Sequence, residues 1–395
     1  METFSWASVA DPHFRLEERH GYIDPVTNLH SRLVDKLEML DRAISLAKKR
    51  SAGSFFVLGD VFHKVNPPER LKSLVLSVLF KFLEVGSVYI LVGNHDRASK
   101  LSYNFMSDEL LLRELSERLS FTQKNNLSVI SDLSSIDFPS SSPQFHIDLC
   151  PWVIDEELIP FLMRKTTLPR IGFGHFTPAE AGVSMSVDGK MIPLGKGVSL
   201  SVFGEYRWFE LGDVHLQQKL SDKVWVIGSM SHQDFSRADL SFTPSVSFGE
   251  VSYDVDGSLR IKQTFEPLED RPFLHFIVLE EEVDPLIFVN EIKELELSDA
   301  VDLSGAVVRI SISGSREWAS QVDVSKLKRA CKNNGVRWLQ IQYDLKSERL
   351  RGVESEFKDV DTSRQSFEKC ITEISEDVLC RDLGLEILNE ALRGD

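Results

Sequence analysis

"YILVGNHD", residues Tyr89 to Asp96, is a run of strand-forming residues that breaks at Gly93 into three polar side chains, Asn94, His95 and Asp96. A surface turn would explain one such break, because Gly and Asn are turn residues. The same break recurs along the chain. "TFSWASVA" ends at Asp11-Pro12-His13, and "SFFVL" ends at Gly59-Asp60 with His63 close behind. Later, "LPRIGFGH" ends at Gly174-His175 and "YRWFELGDVH" at Gly212-Asp213-Val214-His215. Five of the chain's ten histidines belong to these strand ends. Carboxylates, imidazoles and an amide delivered from successive strands form a donor set for two divalent cations, with one carboxylate bridging the pair. A lone His or Asp in a loop is more often structural. Five such motifs in order, each closing an apolar strand, point instead to a metal site. "GNHD" is therefore read as a ligand-and-catalyst loop.

Helices fill the gaps between the early strands. Leu33, Leu37, Leu40 and Ile44 recur at helical spacing and predict a helix over Ser31 to Lys49. Pro67-Pro68 opens a second, with Leu71, Val75, Val78 and Phe82 on one face. The β-α-β-α-β order implies a parallel central sheet with helices packed on it, and functional residues beyond the carboxyl ends of its strands. "SSIDFPSSSPQ" reads as a Ser-rich loop, and Asp256-Gly257 predicts a hairpin. Around "EPLEDRP" the pattern resets. "FLHFIVLE", a helix near Pro285 to Leu295, "AVVRISISG", a helix near Val324 to Lys332 and "VRWLQIQYD" predict a compact α+β unit. The charged stretch after it reads as a linker. From Gln365 to Asp395, Phe367, Ile371, Ile374 and Val378 mark one helical stripe, and Leu385, Leu388 and Leu392 another. The expected division is 1–267, 268–345, a linker at 346–364 and a helical segment at 365–395.

At 395 residues the chain exceeds one typical core. A net charge of −16 argues against a broad basic face for nucleic acid, although bound cations or a partner can supply positive charge locally. The first residues lack the basic and apolar regions of a signal peptide, and no apolar run reaches membrane-spanning length. Four cysteines without a CxxC pair fit a reducing compartment. The expectation is a cytoplasmic or nucleoid-associated protein, or one in the host cytoplasm if phage-encoded, with no membrane contact.

The order D-x-H, GD, GNHD, GH, G-x-x-H resembles the calcineurin-like metallophosphoesterase superfamily over about Met1 to Phe248. "LGDVFH", "SRLVD" with Arg32 and Asp35, and Gly228-Ser229 before Asp234-Phe235 resemble its SbcD-type double-strand-break repair nucleases. "GAVVRISISGS" resembles their capping domain. The resemblance implies an α/β fold: a metallophosphoesterase β-sandwich flanked by helices, with a smaller α+β capping domain that binds DNA and a C-terminal helical tail. It places Asp11, His13 and His215 on a first metal and Asn94 and His175 on a second, with Asp60 bridging. His95 would orient or protonate near the scissile phosphate, Asp96 would hold the His95 ring, and His63 would contact the phosphate from the other side. Arg32 and Arg97 would lie on DNA. Two Mn²⁺ ions, with Mg²⁺ as a substitute, would activate a water for in-line attack. The tail would grip an SbcC-type SMC-like ATPase subunit, and the chain would act on DNA as a homodimer.

One position departs from the pattern. Asp213 stands where the family has histidine. A turn whose aspartate faces water would leave a weak second site or a one-metal enzyme; but a carboxylate is a hard donor suited to Mn²⁺ and Mg²⁺, and Asp213 is expected to ligate the second metal directly. Two other readings compete: a small-molecule or protein phosphoesterase on the same fold, and a non-catalytic scaffold. Retention of every motif position but one weighs against the scaffold.

Overall fold

Strand β2 (Ser54–Leu58) is buried along its whole length. Its alternate side chains enter different cores: Phe55 and Val57 face one apolar cluster, Phe56 and Leu58 another. A strand covered on both faces reads as an unbroken apolar run, as "SFFVL" does. The computed structural model describes residues 3–97, 126–142, 144–185, 191–193, 195–236, 239–253, 258–280 and 303–345.

β2 lies between β1 (Ser5–Val9) and β3 (Ser87–Leu91), parallel to both, and β4 (Leu127–Ile130) continues the parallel set. On the far side of β1 run the antiparallel pair β13 (Ser245–Tyr253) and β14 (Leu259–Pro267), giving the order β14-β13-β1-β2-β3-β4. The helices α1 (Ser31–Lys49) and α2 (Glu69–Leu79) cover its outer face, with Leu33, Leu40, Ile44, Leu71 and Val75 packed against Phe55 and Val57.

A second sheet is built from β5 (Ser134–Phe138), β6 (Phe145–Cys150), β7 (Arg170–His175), β10 (Tyr206–Gly212), β11 (Gln218–Lys219) and β12 (Val224–Val226), in the order β11-β12-β10-β7-β6-β5. A hairpin of β8 (Gly182–Met185) and β9 (Met191–Pro193) lies apart from it, and α3 (Asp155–Met163) packs Leu158 and Leu162 into the cluster with Phe209 and Leu211. The two sheets meet face to face through Trp6, Phe56, Leu58, Ile171, Phe173 and Trp208, with the Phe56 and Phe173 rings stacked 4.0 Å apart. The parallel strands expected from the early sequence form part of one sheet of a two-sheet sandwich, the architecture that the resemblance implies, and each sheet is mixed. "SSIDF" is likewise strand rather than loop. Its alternation sends Ile136 and Phe138 into the inter-sheet core and pairs them with Ile147 and Phe145.

A third, smaller sheet is wholly parallel, with β15 (Phe273–Leu279), β16 (Val307–Gly314) and β17 (Trp338–Leu345) in chain order. The short α4 (Arg316–Ala319) and α5 (Val324–Asn333) cover one face, where Leu327, Ala330 and Cys331 pack on Val308, Ile310 and Ile312. The helix expected near 285–295, the linker and the C-terminal helical segment lie outside the described residues.

The joint between this unit and the sandwich corrects one site expectation. Arg32 is 2% exposed. Its guanidinium donates to Asp270 at 2.9 Å, to Asp35 at 3.0 Å and to the His232 carbonyl at 3.3 Å, and it lies 4.6 Å over the Phe273 ring. Arg271 returns the contact by donating to Asp35 at 2.5 and 2.9 Å. A guanidinium paired inside the protein does not reach a DNA backbone. Arg32 joins α1 to the segment that enters β15.

Breaking a buried pair by removing one partner typically costs about 3–5 kcal/mol, so Arg32→Met is expected to lower chemical-denaturation stability by that order at pH 7. Burial would raise the Asp270 carboxyl, but Arg32 and His232 outweigh it and hold it well below the usual carboxylate range. A depressed pKa stabilises above the unfolded value of about 3.9 and is lost as pH falls below it. The gap between wild type and variant should therefore be full at pH 7 and shrink below about pH 4. A gap that stays constant into acid would contradict this pairing.

Candidate metal centre

The parallel strands of both sheets end at one edge of the sandwich. β1 delivers Asp11 and His13, β2 delivers Asp60, β3 delivers Asn94, His95 and Asp96, β7 ends on His175, and β10 leads to Asp213 and His215. Among the described residues three donor groups form there: one is His13, His63 and His95, and the other two are Asp11, His13 and His215, and Asp11, Asp60 and His175. Asp60 divides its carboxylate between them, with Oδ2 3.5 Å from His13 Nε2 and Oδ1 3.4 Å from His175 Nε2. His13 Nε2 and His215 Nε2 face each other at 3.1 Å.

Side chains crowd here because the backbone bends sharply. Asp11, His13, Asp60 and Asp213 all adopt positive φ, at 50°, 45°, 50° and 80°. Asp and His enter this left-handed region more readily than most residues, but at a conformational cost. Gly93 lies so close to Asp60 that a Cβ there would overlap both its carboxylate and its backbone amide.

The donors carry too few protons for the acceptors they face. His175 Nδ1 donates to the Leu58 carbonyl at 2.7 Å, which turns Nε2 into the site. The Asn94 side-chain oxygen lies 2.9 Å from that nitrogen and also faces carboxylate oxygens of Asp60 and Asp213. With no cation the amide would turn its nitrogen inward; a cation among these atoms suits the oxygen. His13 Nδ1 is buried without a hydrogen-bond partner among the described residues.

Charges conflict in the same way. Burial raises the Asp11 carboxyl well above its ordinary value, and Asp60 and Asp213 add to the shift against the pull of His175. Burial opposes the charge on His175 also, yet Asp60, Asp11 and Asp213 outweigh it and hold that imidazole well above its usual range. Burial lowers His13 and His215 despite the attraction of Asp60. Bound divalent cations would remove the conflict by pairing ionised carboxylates with neutral imidazoles. The residue groups fit a two-metal site.

Asp213 lies on the His175 side, its Oδ1 3.7 Å from His175 Nε2. Its amide donates to Asp11 Oδ2 at 3.1 Å, and its Oδ2 accepts the Thr177 hydroxyl. His63 and His95 stack beside the two donor groups that share Asp11, with ring centroids 5.4 Å apart and 5.8 and 4.8 Å from His13. Burial, Arg15, His95 and Lys36 lower His63 to about 4.

Two expected roles change. Asp96 does not hold the His95 ring: its oxygens accept the backbone amides of Val61, Phe62 and Gly93 at 3.2, 3.1 and 2.9 Å. Burial, then Asp60, pushes its carboxyl up to about 6. His95 Nδ1 is held instead by the His63 carbonyl at 3.0 Å. Asp96 thus braces the ligand loop. Arg97, expected on DNA, is 7% exposed and donates to the Ser131 carbonyl at 2.8 Å and the Trp152 carbonyl at 3.4 Å. Sequence reading missed Thr177, Lys36 and Gln233. Lys36 left a trace, a cation within the apolar stripe between Leu33 and Leu40; Thr177 and Gln233 left none.

Gly93→Ala tests the crowding. The added methyl should displace Asp60 and abolish stoichiometric uptake of two divalent cations, measured by calorimetry, while the fold remains intact by circular dichroism. Wild-type stoichiometry in that variant would refute the geometry.

Residues 7–191 match the family model described as "Calcineurin-like phosphoesterase". The match stops short of Asp213 and His215. No curated protein matches the chain. Among solved structures, a dimetal phosphatase from Danio rerio is 11% identical, with 67% of this chain and 99% of that one covered at a TM-score of 0.38. The nuclease MPE of Pseudomonas putida is 18% identical, with 51% and 76% covered at a TM-score of 0.24. Among the described residues no helix is long and apolar enough to cross a membrane. Over residues 7–191, a little under half of its length, the chain is similar to the calcineurin-like phosphoesterases.

Proposed function

We propose that the chain is a two-cation phosphodiesterase acting on DNA, the nuclease subunit of an SbcD-type complex with an SbcC-type ATPase. The observation that supports it best is the stacked pair His63 and His95 beside the ligands. His63 belongs to the "GDVFH" sequence that resembles the nuclease branch, where phosphatases of the superfamily carry an aspartate-arginine pair. Asp11, His13 and His215 would hold one cation, Asn94, His175 and Asp213 Oδ1 the other, and Asp60 both. Mn²⁺ suits this mixture of nitrogen and oxygen donors, with Mg²⁺ as the alternative.

When bound, the cations supply Lewis acidity toward a phosphate oxygen and lower the pKa of a water. The protein does the rest. The His63 carbonyl fixes His95 Nδ1 as a donor, so Nε2 would deliver a proton to the departing oxygen from the imidazolium form, in which both ring nitrogens carry one. The His95 amide donates to Asp60 Oδ1 at 2.8 Å, so the same residue steadies the shared carboxylate. His63, lowered to about 4, stays neutral at pH 7 and offers a hydrogen bond rather than a charge.

A nuclease assay on linear duplex and single-stranded DNA, with Mn²⁺ or Mg²⁺ and with or without the ATPase, tests this reading. His95→Ala should lose about 10²–10⁴ in rate while calorimetry still finds two bound ions. Loss of an ion in that variant would move His95 from proton donor to ligand. Hydrolysis of small phosphoesters but of no DNA would overturn the nuclease assignment.

A further inference from the structure

Asp11 and His13 are held in left-handed backbone two residues apart. Such residues carry a conformational cost and persist only where their surroundings over-determine them. On one side the loop is tied by backbone: the Asp11 and His13 amides donate to the Gly59 and Asp60 carbonyls at 3.3 and 2.9 Å. On the other side its carbonyls are tied by side chains. The Asp11 carbonyl accepts from Ser229 Oγ at 2.9 Å and Gln233 Nε2 at 3.4 Å, and the His13 carbonyl accepts from Lys36 Nζ at 3.2 Å.

Lys36 is 1% exposed. A buried ammonium is costly unless its donors are filled. Its acceptors are the His13 carbonyl, Glu18 Oε1 at 2.8 Å and Gln233 Oε1 at 3.1 Å, matching its three donors. Arg15 holds Glu18 in turn at 2.8 Å. Gln233 presents its other end to Ser229 and Ser231. A lysine in an apolar stripe gains nothing by packing there, and this one reaches the metal centre through a backbone carbonyl.

We propose that Lys36 and Gln233 form a clamp that keeps the Asp11–His13 loop left-handed and so sets the affinity of the subsite made by Asp11, His13 and His215. They are positioning residues: neither offers an atom to the cation. The inference rests on the two-cation reading of the site.

Titration of the full chain with Mn²⁺, followed by calorimetry and by the electron paramagnetic resonance of the ions, tests it. Wild type should take up two ions and give a spin-coupled pair. Lys36→Met and Gln233→Met should bind the ion of the clamped subsite about 10–100-fold more weakly, leaving an uncoupled single-ion signal where wild type shows the pair. Lys36→Arg should recover part of the coupling by keeping a donor at the His13 carbonyl. Gln233→Met leaves Arg15, Glu18 and Lys36 joined, so it covers the case in which Lys36→Met fails to fold. A wild-type two-ion titration in both folded variants would overturn the clamp, as would equal weakening of both ions. A wild-type chain that takes up no divalent cation would instead sink the two-cation reading beneath it.

Discussion

Too many lone pairs and carboxylates meet at one edge of the sandwich, and the surrounding structure is what keeps them there. Left to themselves Asp11, Asp60 and Asp213 would separate, and the Asn94 amide would turn over. The strands prevent this because each donor follows the end of a strand fixed on both faces by core packing. The Phe56–Phe173 stack sets the distance between sheets and therefore between the ends of β2 and β7, which carry Asp60 and His175. The inter-sheet core even tolerates a carboxyl, Glu210, because Trp6, Trp208, Ser247 and Gln263 all donate to it.

How much of this could be read in the sequence follows from how local each cause is. Strand-end donors are local: a doubly buried strand is an apolar run, and the polar break after it marks where the run leaves the core. The placement of Asp11, His13, Asp60, Asn94, His175, Asp213 and His215 at or beyond strand ends was legible for that reason, as were both bounds of α1. The second sheet was less so. β5 holds its place by pairing with β6 and by inward-facing Ile136 and Phe138, while its serines and the proline after it resemble a loop. Interactions across long sequence separations left almost no trace. The Asp96 carboxylate could equally have served a ring or a backbone, and only the fold shows that it serves Val61, Phe62 and Gly93.

Arg32 and Arg97 teach a related lesson. An arginine near a phosphate-handling site invites an electrostatic role, and the chain's net charge of −16 makes any cation conspicuous. Both are buried, and both point their donors at the protein. In a strongly acidic chain, cations inside the structure have ready partners, and Arg32 uses Asp35 and Asp270 to join two units.

The left-handed turns at Asp11, Asp60 and Asp213 bear on how a silent form of this protein can be made. Asparagine enters that region about as readily as aspartate and keeps its outline, so Asp→Asn removes a charge and leaves the loop set. Alanine removes the carboxylate and also releases the turn. An alanine scan of this edge would therefore mix loss of a donor with relaxation of the backbone and overstate what each carboxylate contributes. The amide series separates the two, and it yields inert copies whose loops remain poised for whatever they bind.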